Sequence, residues 1–280
     1  MIVIADSGAT KTDWCLGNSQ ADSKFIRTEG INPFHQSADE IRDLLASSLI
    51  PRLEDKNTQP ETIYFYGAGC TPDKAESVRN ALSTYFPQSL IRVESDLTGA
   101  ARALCGTQAG IACILGTGSN SCAYDGEKIT ANVPPLGYIL GDEGSGAALG
   151  KRLASDCLKR QLPDDLCQSF FKECRLTPAQ IQDRVYRHPL ANRFLASLTP
   201  FLSAHRHRTE IQALLQSSFT NFFIRNVMQY EYHDTPVHFA GSIAFHFQEE
   251  VKEAARQLQI TVGRILKEPM KGLMEYHFDS

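Results

Sequence analysis

The sequence lacks an excess of charge of either sign, and it lacks long hydrophobic runs. Its 280 residues include 28 Lys and Arg against 32 Asp and Glu, a formal net charge of −4. Without a basic surplus, the chain has no electrostatic signature of nucleic-acid binding. No apolar stretch approaches the length of a membrane span, and residues 1–8 lack a basic n-region and predict a strand rather than a signal peptide. We therefore expect a cytoplasmic protein that binds neither nucleic acid nor membrane.

The cysteines lack the close spacing that a zinc site or a redox motif requires. No C-x-x-C pair occurs, and most of the eight cysteines stand inside apolar segments. Such a pattern predicts buried reduced thiols rather than a disulfide framework or a metal site. The positions are Cys15, Cys70, Cys105, Cys113, Cys122, Cys157, Cys167 and Cys174.

Two common nucleotide-binding motifs are also missing. The chain contains no Walker G-x-x-x-x-G-K-[ST] and no strand-linked G-x-G-x-x-G, which disfavours P-loop and Rossmann proteins. Strand and helix patterns nevertheless alternate along the chain, which predicts an α/β protein. The predicted strands are 1–5, 12–17, 24–27, 61–67 and 90–95, then 110–115, 120–124, 128–131, 236–241 and 260–264.

Several helices have clear start signals. Capping boxes begin at Ser37 and Thr177, and Pro72 predicts another helix opening at Thr71. Further helices are predicted at 144–162 and 243–258, and the stretch 177–233 is predicted to be almost entirely helical. Since no low-complexity linker separates the halves, a packed hinge is expected near residue 105. The repeated plan predicts a duplicated α/β architecture with a central cleft and a helical insertion in its second half.

The two halves share a strand–turn–strand hairpin with a glycine- and hydroxyl-rich tip. The first tip spans 8–12 and the second 116–120. Glycine lets the backbone approach a phosphate oxygen closely, and consecutive N–H groups in such turns form anion-binding concavities. Ordinary hairpin turns use the same residue types and remain an alternative. Side chains that could donate hydrogen bonds or organise the water shell of a metal are Thr10, Lys11, Thr12, Thr117, Ser119 and Asn120.

Acidic and small residues follow other predicted strands and begin helices. Asp96 stands where ligands bind in open α/β sheets, so it is either a general base for an alcohol attacking a phosphoryl group or a helix N-cap. Asp142 and Glu143, among glycines, could hold a sugar hydroxyl or, for Glu143, a metal-bound water; a structural turn is the alternative. Gly241 and Ser242 would let an adenosine approach the backbone, or would serve helix packing.

Taken in order, these motifs resemble the BadF/BadG/BcrA/BcrD ATPase family of the actin-like, sugar-kinase and Hsp70 superfamily. The resemblance is strongest to its N-acetylglucosamine kinase-like members and extends over residues 1 to about 278. The motifs that carry it are Asp6-Ser-Gly-Ala-Thr-Lys-Thr12, Gly30-x-Asn-Pro33, Asp96-x-x-Gly-Ala100, Leu115-Gly-Thr-Gly-Ser-Asn120, Gly137-x-x-x-Gly-Asp-Glu-Gly-Ser145 and Ala240-Gly-Ser242.

The resemblance implies two ribonuclease-H-like lobes of the actin-like ATPase type with ATP between them. The first lobe would be 1–105, completed by a C-terminal helix at 268–280, and the second 106–267. The implied activity is transfer of the ATP γ-phosphate to an amino sugar, from N-acetylglucosamine to its 6-phosphate. Magnesium is expected because the polyphosphate charge must be offset during transfer.

The resemblance also implies roles for individual residues. Asp96 would be the general base, and Asp6 would lie near the magnesium-bound phosphates, contacting the metal through water. The phosphate loops would comprise Gly8, Thr10, Lys11 and Thr12, and Gly116, Thr117, Gly118 and Ser119. Sugar contacts would come from Asn32, Asn120 and Asp142, with Glu143 a further candidate, and the adenosine edge from Gly241 and Ser242.

One segment departs from the mammalian-type members of the family. Where those kinases carry Gly-Gly-Trp-Gly, this chain has Pro134-Pro135-Leu136-Gly137, and proline removes N–H donors and fixes φ. The acceptor could therefore be N-acetylglucosamine, N-acetylmuramate or glucosamine, or the chain could be an ATP-binding regulatory protein. The cysteines do not suit the iron–sulfur branch of the family. A homodimer is possible, from the resemblance and from the aromatic stretch at 219–232, which is either core or a dimer surface.

Overall fold

The computed structural model describes residues 1–8, 10–53 and 59–279. The chain forms two compact units. Unit 1 comprises Met1–Gln108, Asp125–Ile129 and Glu268–Ser280, and unit 2 comprises Ala109–Tyr124 and Thr130–Lys267. The chain leaves unit 1 after Gln108 and returns to it after Lys267, and each of these positions lies within a few residues of a predicted lobe boundary. The segment Asp125–Ile129 was not expected in unit 1.

Unit 1 contains a five-stranded mixed sheet with the order β3-β2-β1-β4-β5. Strands β1, β2 and β3 form an antiparallel meander, while β1, β4 and β5 run parallel. Parallel strands end at the same edge, and here Ser7, Gly67 and Ser95 lie side by side. The strands are β1 (Ile2–Ser7), β2 (Lys11–Gly17), β3 (Lys24–Glu29), β4 (Thr62–Gly67) and β5 (Leu90–Ser95).

Helices cover both faces of this sheet because successive side chains of a strand point to opposite faces, and both faces carry apolar side chains. Val3 and Phe65 point to a core shared with the first two helices, whereas Ile4 and Tyr66 point to a core shared with the last helix. The helices are α1 (Ala38–Leu44), α2 (Ala75–Tyr85), α3 (Asp96–Cys105) and, at the end of the chain, α13 (Met270–Phe278); a π-helical turn (Leu45–Leu49) and a 3-10 turn (Ile50–Arg52) follow α1.

The start signals of three helices differ in outcome. The capping box at Ser37 is formed, with Glu40 reciprocating, and so is the one at Thr177 with Gln180. The expected helix start at Thr71 is wrong, since α2 begins at Ala75. The hydroxyl of Thr71 instead donates to Asp73 over 2.6 Å, and the Thr71 carbonyl closes a turn. Local turn bonding therefore delays the helix by one turn.

Unit 2 contains a second five-stranded sheet, with the order β10-β9-β6-β7-β8. Strands β6 and β7 form an antiparallel hairpin, and β9 and β10 run parallel to β6. The carboxyl ends of β6 and β9 therefore share one edge. The strands are β6 (Gly110–Leu115), β7 (Ser119–Tyr124), β8 (Ile129–Val133), β9 (Val237–Ala240) and β10 (Val262–Leu266).

A helical insertion separates β8 from β9. The stretch 177–233 is mostly helical, as expected, and turns divide it into several helices, one of these turns having Leu190 in the left-handed conformation. The helix expected over 243–258 is broken at Phe247. The helix α6 had no distinct sequence signal. The helices are α4 (Gly137–Leu140), α5 (Gly146–Leu158), α6 (Asp164–Cys174), α7 (Pro178–Tyr186), α8 (Ala191–Ala196), α9 (Thr199–Ala204), α10 (Thr209–Arg225), α11 (Ser242–His246) and α12 (Gln248–Gln257), with a 3-10 turn (Val227–Gln229) after α10.

The aromatic stretch belongs to the core of unit 2. Phe219, Phe222 and Phe223 are buried, and the rings of Phe222 and Phe223 pack against Phe239 of β9. This stretch therefore gives no support for a dimer surface. The eight cysteines, all within the described residues, form no disulfide, and seven are buried as expected. No helix among the described residues has the length and apolarity needed to span a membrane.

Candidate active site

Two carboxylates lie at the carboxyl edge of the unit 1 sheet. Asp6 stands near the end of β1, and Asp96 follows β5 directly. The register places Ser7 and Ser95 at the same height, on either side of Gly67. Adjacent strands are about 4.8 Å apart, so the two carboxylates belong to one local cluster. This edge is the part of a parallel sheet where ligands bind.

Asp96 is the first residue of α3 and not its cap. The N-cap is Ser95, whose hydroxyl accepts the N–H of Thr98 over 3.1 Å, so the N-cap interpretation of Asp96 is wrong. The Oδ1 atom of Asp96 accepts the backbone N–H of Leu97 over 2.9 Å. No side chain of the described residues forms a hydrogen bond with this carboxylate. Burial raises the pKa of Asp96. A carboxylate with a raised pKa is a stronger base than an exposed one.

Asp6 carries a second carboxyl of this edge whose pKa is raised. Burial, together with the negative charges of Asp96 and Asp13, raises the pKa of Asp6 to about 7, and Lys11 opposes the rise. Such a value means that the negative charge of the cluster is not fully compensated by the described side chains. A cation would therefore be stabilised next to Asp6.

The first hairpin tip is closed by a hydrogen bond from the N–H of Gly8 to the carbonyl of Lys11, 2.9 Å long. Thr10 is exposed, whereas Ala9 lies outside the described residues. The ammonium of Lys11 pairs with Asp13 at 2.8 Å and also with Glu268. Lys11 is thus held by two carboxylates at the tip.

Thr12 differs from its expected role. It is fully buried, its hydroxyl lies 2.7 Å from that of Ser7, and it donates to the carbonyl of Glu29 over 3.0 Å. A hydroxyl with both neighbours inside the sheet cannot also reach a phosphate. The hydroxyl of Thr12 therefore supports the hairpin, and any contact to a ligand must come from its neighbours.

Asn32 lies in the turn after β3, with a fixed amide. Its Oδ1 atom accepts the N–H of Phe34 over 2.9 Å, and its own N–H donates to Gln36 over 2.7 Å. Gly69 packs so closely on this amide that a Cβ there would overlap Oδ1. The Nδ2 group has no partner among the described residues and remains available as a donor.

The second hairpin tip is anchored to a helix. The N–H groups of Gly146 and Ala147, at the start of α5, donate to the carbonyls of Gly116 and Thr117 over 2.8 and 3.0 Å. The carbonyl oxygens of the loop are thereby turned toward the helix. A loop held in this way can present its own N–H groups to an anion.

Asp142 packs directly on that loop. It is buried, adopts a left-handed φ of 56°, and its Oδ1 accepts the N–H of Ser119 over 3.2 Å. A Cβ on Gly118 would lie only 3.1 Å from its Oδ2 atom. Burial raises the pKa of Asp142. Asp142 therefore fixes the loop with one oxygen and keeps the other for a further partner.

Glu143 does not share this arrangement. Its carboxylate forms an ion pair with Arg225 at the end of α10. The charge of Glu143 is thus offset within unit 2, which weakens its assignment to a sugar or to a metal-bound water.

Asn120 is connected to a residue that carried no sequence signal. Its Oδ1 atom accepts the N–H of Ser121 and the amide of Asn132 on β8, the latter over 3.0 Å. Asn132 also donates to the carbonyl of Ser121 over 2.7 Å. Asn132 is therefore a supporting residue that only the strand pairing reveals.

Gly241 lies where β9 meets the second hairpin tip. Its φ is 120°, and a Cβ there would overlap the carbonyl of Leu115. Ser242 follows as the exposed first residue of α11. Gly241 therefore packs on the backbone at the end of β6, which brings this turn beside the glycine loop.

The chain resembles several solved structures. A protein from Porphyromonas gingivalis, provisionally assigned as an N-acetylglucosamine kinase, is 48% identical with a TM-score of 0.96, and the match covers 100% of this chain and 99% of that one. The chain belongs to the N-acetylglucosamine kinase-like family of actin-like ATPases. The expected α/β class with actin-like lobes is confirmed.

Two solved structures of lower sequence identity share the fold. A protein from Chromobacterium violaceum with the same provisional assignment is 18% identical, with a TM-score of 0.72 and 98% of each chain covered. A ROK family glucokinase from Streptomyces griseus, in complex with glucose and AMPPNP, is 13% identical, with a TM-score of 0.58 and coverage of 98% of this chain and 97% of that one. No sequence-family model and no curated protein matches the chain.

Membership of this family implies a magnesium ion, and the acidic edge of unit 1 fits one. Within the ranges that the structure describes, no three His, Cys, Asp or Glu side chains form a metal-binding group. Mg²⁺ in phosphoryl-transfer enzymes is held by one or two carboxylates, waters and the substrate phosphates rather than by a protein cage. The uncompensated charge at Asp6 suits an ion that arrives with the nucleotide.

Proposed function

We propose that this protein phosphorylates an amino sugar with ATP, converting N-acetylglucosamine to its 6-phosphate. The observation that carries the proposal is Asp96, a carboxylate with a raised pKa at the carboxyl edge of the unit 1 sheet, beside Asp6. The 48% identical protein from Porphyromonas gingivalis, provisionally assigned as an N-acetylglucosamine kinase, supports the reaction class.

Asp96 is the general base in this proposal. The carboxylate oxygen of Asp96 that does not bond to Leu97 accepts the proton of the sugar hydroxyl. At the same time the hydroxyl oxygen of the sugar bonds to the γ-phosphorus, and the bond between the γ-phosphorus and the bridging oxygen of ADP breaks. The products are the sugar phosphate, ADP and one proton. General bases of this kind contribute about 10²- to 10⁴-fold in rate, and the helix bond to Leu97 orients the carboxylate.

The nucleotide is assigned to the two hairpin tips and the Gly241 turn. In unit 1 the contacts come from the backbone at Gly8, from Thr10 and from Lys11; in unit 2 they come from the loop Gly116–Ser119. Mg²⁺ would be held near Asp6 through water and would offset the phosphate charge. Adenosine would lie against Gly241 and Ser242.

The sugar is assigned to Asn32, Asn120 and Asp142. The support is that Asn32 has an amide donor without a partner and that Asp142 uses one carboxylate oxygen on the loop. Glu143 is left out because Arg225 already pairs with it. Pro135 contributes its carbonyl to the N–H of Asp142, 2.9 Å away, so the proline segment supports the backbone of this residue.

An acceptor panel tests the proposal. ADP release with ATP and Mg²⁺ is measured for N-acetylglucosamine, glucosamine, N-acetylmuramate and glucose. We expect the highest kcat/KM with N-acetylglucosamine. A higher value with N-acetylmuramate or glucosamine would reassign the acceptor, and the absence of sugar-stimulated ADP release would favour an ATP-binding regulatory protein.

A further inference from the structure

Unit 2 contains a groove that plays no part in the proposed reaction. It lies between α4, α5 and α7 and has a volume of about 650 Å³. Pockets that hold small molecules have volumes of about 300–1,000 Å³. The groove therefore has the size of a ligand site.

The groove is apolar and open to solvent. Tyr186 is 83% exposed and Ile139 is 73% exposed on its two sides, and buried Ile181 and Leu195 also line it. Large apolar side chains that are exposed around a concavity mark a surface that binds a partner or a ligand. The groove thus offers an apolar lining without a covering group from the described residues.

The charge of the groove has one sign. Lys151 and Lys159 line it, and no Asp or Glu does so among the described residues. The ammonium of Lys151 donates to the carbonyl of Tyr138 over 2.6 Å, which fixes one wall. Lys159 directly follows α5 as its C-cap and forms no ion pair in the described structure. Asp183, on the neighbouring helix, is already paired with His188 at 2.7 Å. An anion is therefore the complementary occupant.

This one-sided charge also distinguishes between possible occupants. In a symmetric dimer the same patch meets itself, so the interface would bring together the lysines of both copies without a groove carboxylate among the described residues to pair with them. An apolar anion satisfies both the lining and the charge without that repulsion. The charge pattern favours a small molecule over a second copy of the chain.

We propose that this groove binds an apolar molecule with an anionic head group, of the class of medium-chain or aromatic carboxylates. The apolar part lies against Ile139, Val185 and Tyr186, and the head group lies at the ammonium of Lys159, which pairs with no described carboxylate. The proposal does not depend on the kinase reaction.

The test is a fluorescence titration of the full-length protein with anilinonaphthalene sulfonate, an apolar aromatic anion, followed by displacement. We expect saturable binding and displacement by decanoate, but at least about ten-fold weaker displacement by decyltrimethylammonium, which has the same chain and the opposite charge. Lys151→Gln combined with Lys159→Gln should weaken binding about five-fold or more, as expected for loss of a charge pair of about 1 kcal/mol. Lys172→Gln on α6 is the matched control and should leave it unchanged.

Val185→Asp provides a second variant within the groove, because a carboxylate there opposes both the apolar part and the charge of the ligand. Circular dichroism checks that each variant is folded. Equal displacement by the cation, or titrations that none of the groove variants alters, would overturn the proposal. So would a dimer detected by light scattering that Tyr186→Asp dissociates, since a second copy would then cover the groove.

Discussion

At the residue scale, the environments of single side chains decide which sequence assignments hold. The sequence places Asp96 directly after a strand. It does not show whether Ser95 or Asp96 caps the following helix, since both residue types are good N-caps. Thr12 was read as a phosphate ligand because it stands in a glycine-rich tip. Its partners Ser7 and Glu29 come together only when β1, β2 and β3 pair, which no local pattern reports.

Asp6 should make the ligand-free protein less stable as the pH rises. Its pKa in the folded state is about 7, against an ordinary value of 3.8, so the folded protein keeps a proton that the unfolded chain releases between these values. The contribution of Asp6 to the free energy of unfolding is fully favourable below about pH 4 and is lost by about pH 7. The free energy of unfolding of Asp6→Asn should therefore be about 1–3 kcal/mol higher than that of the wild type at pH 8. Near pH 4 the two proteins should differ little. Urea denaturation at both pH values measures this, and a variant less stable than wild type at pH 8 would contradict it.

Thr12→Val should separate support of the hairpin from phosphate binding. The variant loses the buried hydrogen bonds to Ser7 and Glu29, and we expect a loss of about 1–3 kcal/mol in unfolding free energy. The KM for ATP should stay within about two-fold in the folded variant, because no phosphate contact is removed. A large rise in this KM without loss of stability would restore Thr12 as a ligand.

At the element scale, the positions of the strands along the chain and both capping boxes were accessible from the sequence, whereas helix breaks were not. The continuous apolar run of β1 and the reciprocal bonds of Ser37 and Glu40 are local properties. The break at Phe247 and the late start of α2 depend on packing and on turn bonding at Thr71. The anchoring of the Gly116 loop on α5 likewise needs two segments that are distant in the sequence.

Two glycines near this loop should respond differently to alanine. A Cβ on Gly241 overlaps the carbonyl of Leu115, and its φ of 120° is unfavourable for alanine, whereas a Cβ on Gly116 meets nothing within 4 Å. We expect Gly241→Ala to lose about 2 kcal/mol or more in stability and Gly116→Ala to stay within about 0.5 kcal/mol. If Gly116 borders phosphate, its added methyl should still raise the KM for ATP. Thermal unfolding and ADP release measure both, and equal stabilities would contradict the packing argument.

At the scale of the whole molecule, the chain returns to unit 1 at its end. Leu273 and Met274 of α13 pack with Ile4 and Tyr66 of the first sheet. The family resemblance predicted that the last helix packs on the first lobe. Composition and periodicity did not, since no local pattern in α13 indicates which segment it contacts.

Ending the chain after Lys267 should therefore unfold unit 1. Truncation exposes the apolar side chains of β1 and β4 that α13 covers, and it removes Glu268 from Lys11. Limited proteolysis should show rapid cleavage within 1–108 and slower cleavage within 130–267. Full-length Asp279→Asn is the control. A truncated chain with wild-type protection of residues 1–108 would contradict this role of α13.

The most direct test of the proposed chemistry is the rate of phosphoryl transfer in Asp96→Asn. With saturating ATP, Mg²⁺ and the best sugar of the panel, we expect kcat to fall by about 10²- to 10⁴-fold. ATP affinity, measured by calorimetry, should stay within about three-fold, and Asp73→Asn, at an exposed carboxylate before α2, should be unaffected. Undiminished turnover in a folded Asp96→Asn variant would contradict the assignment of Asp96 as the base.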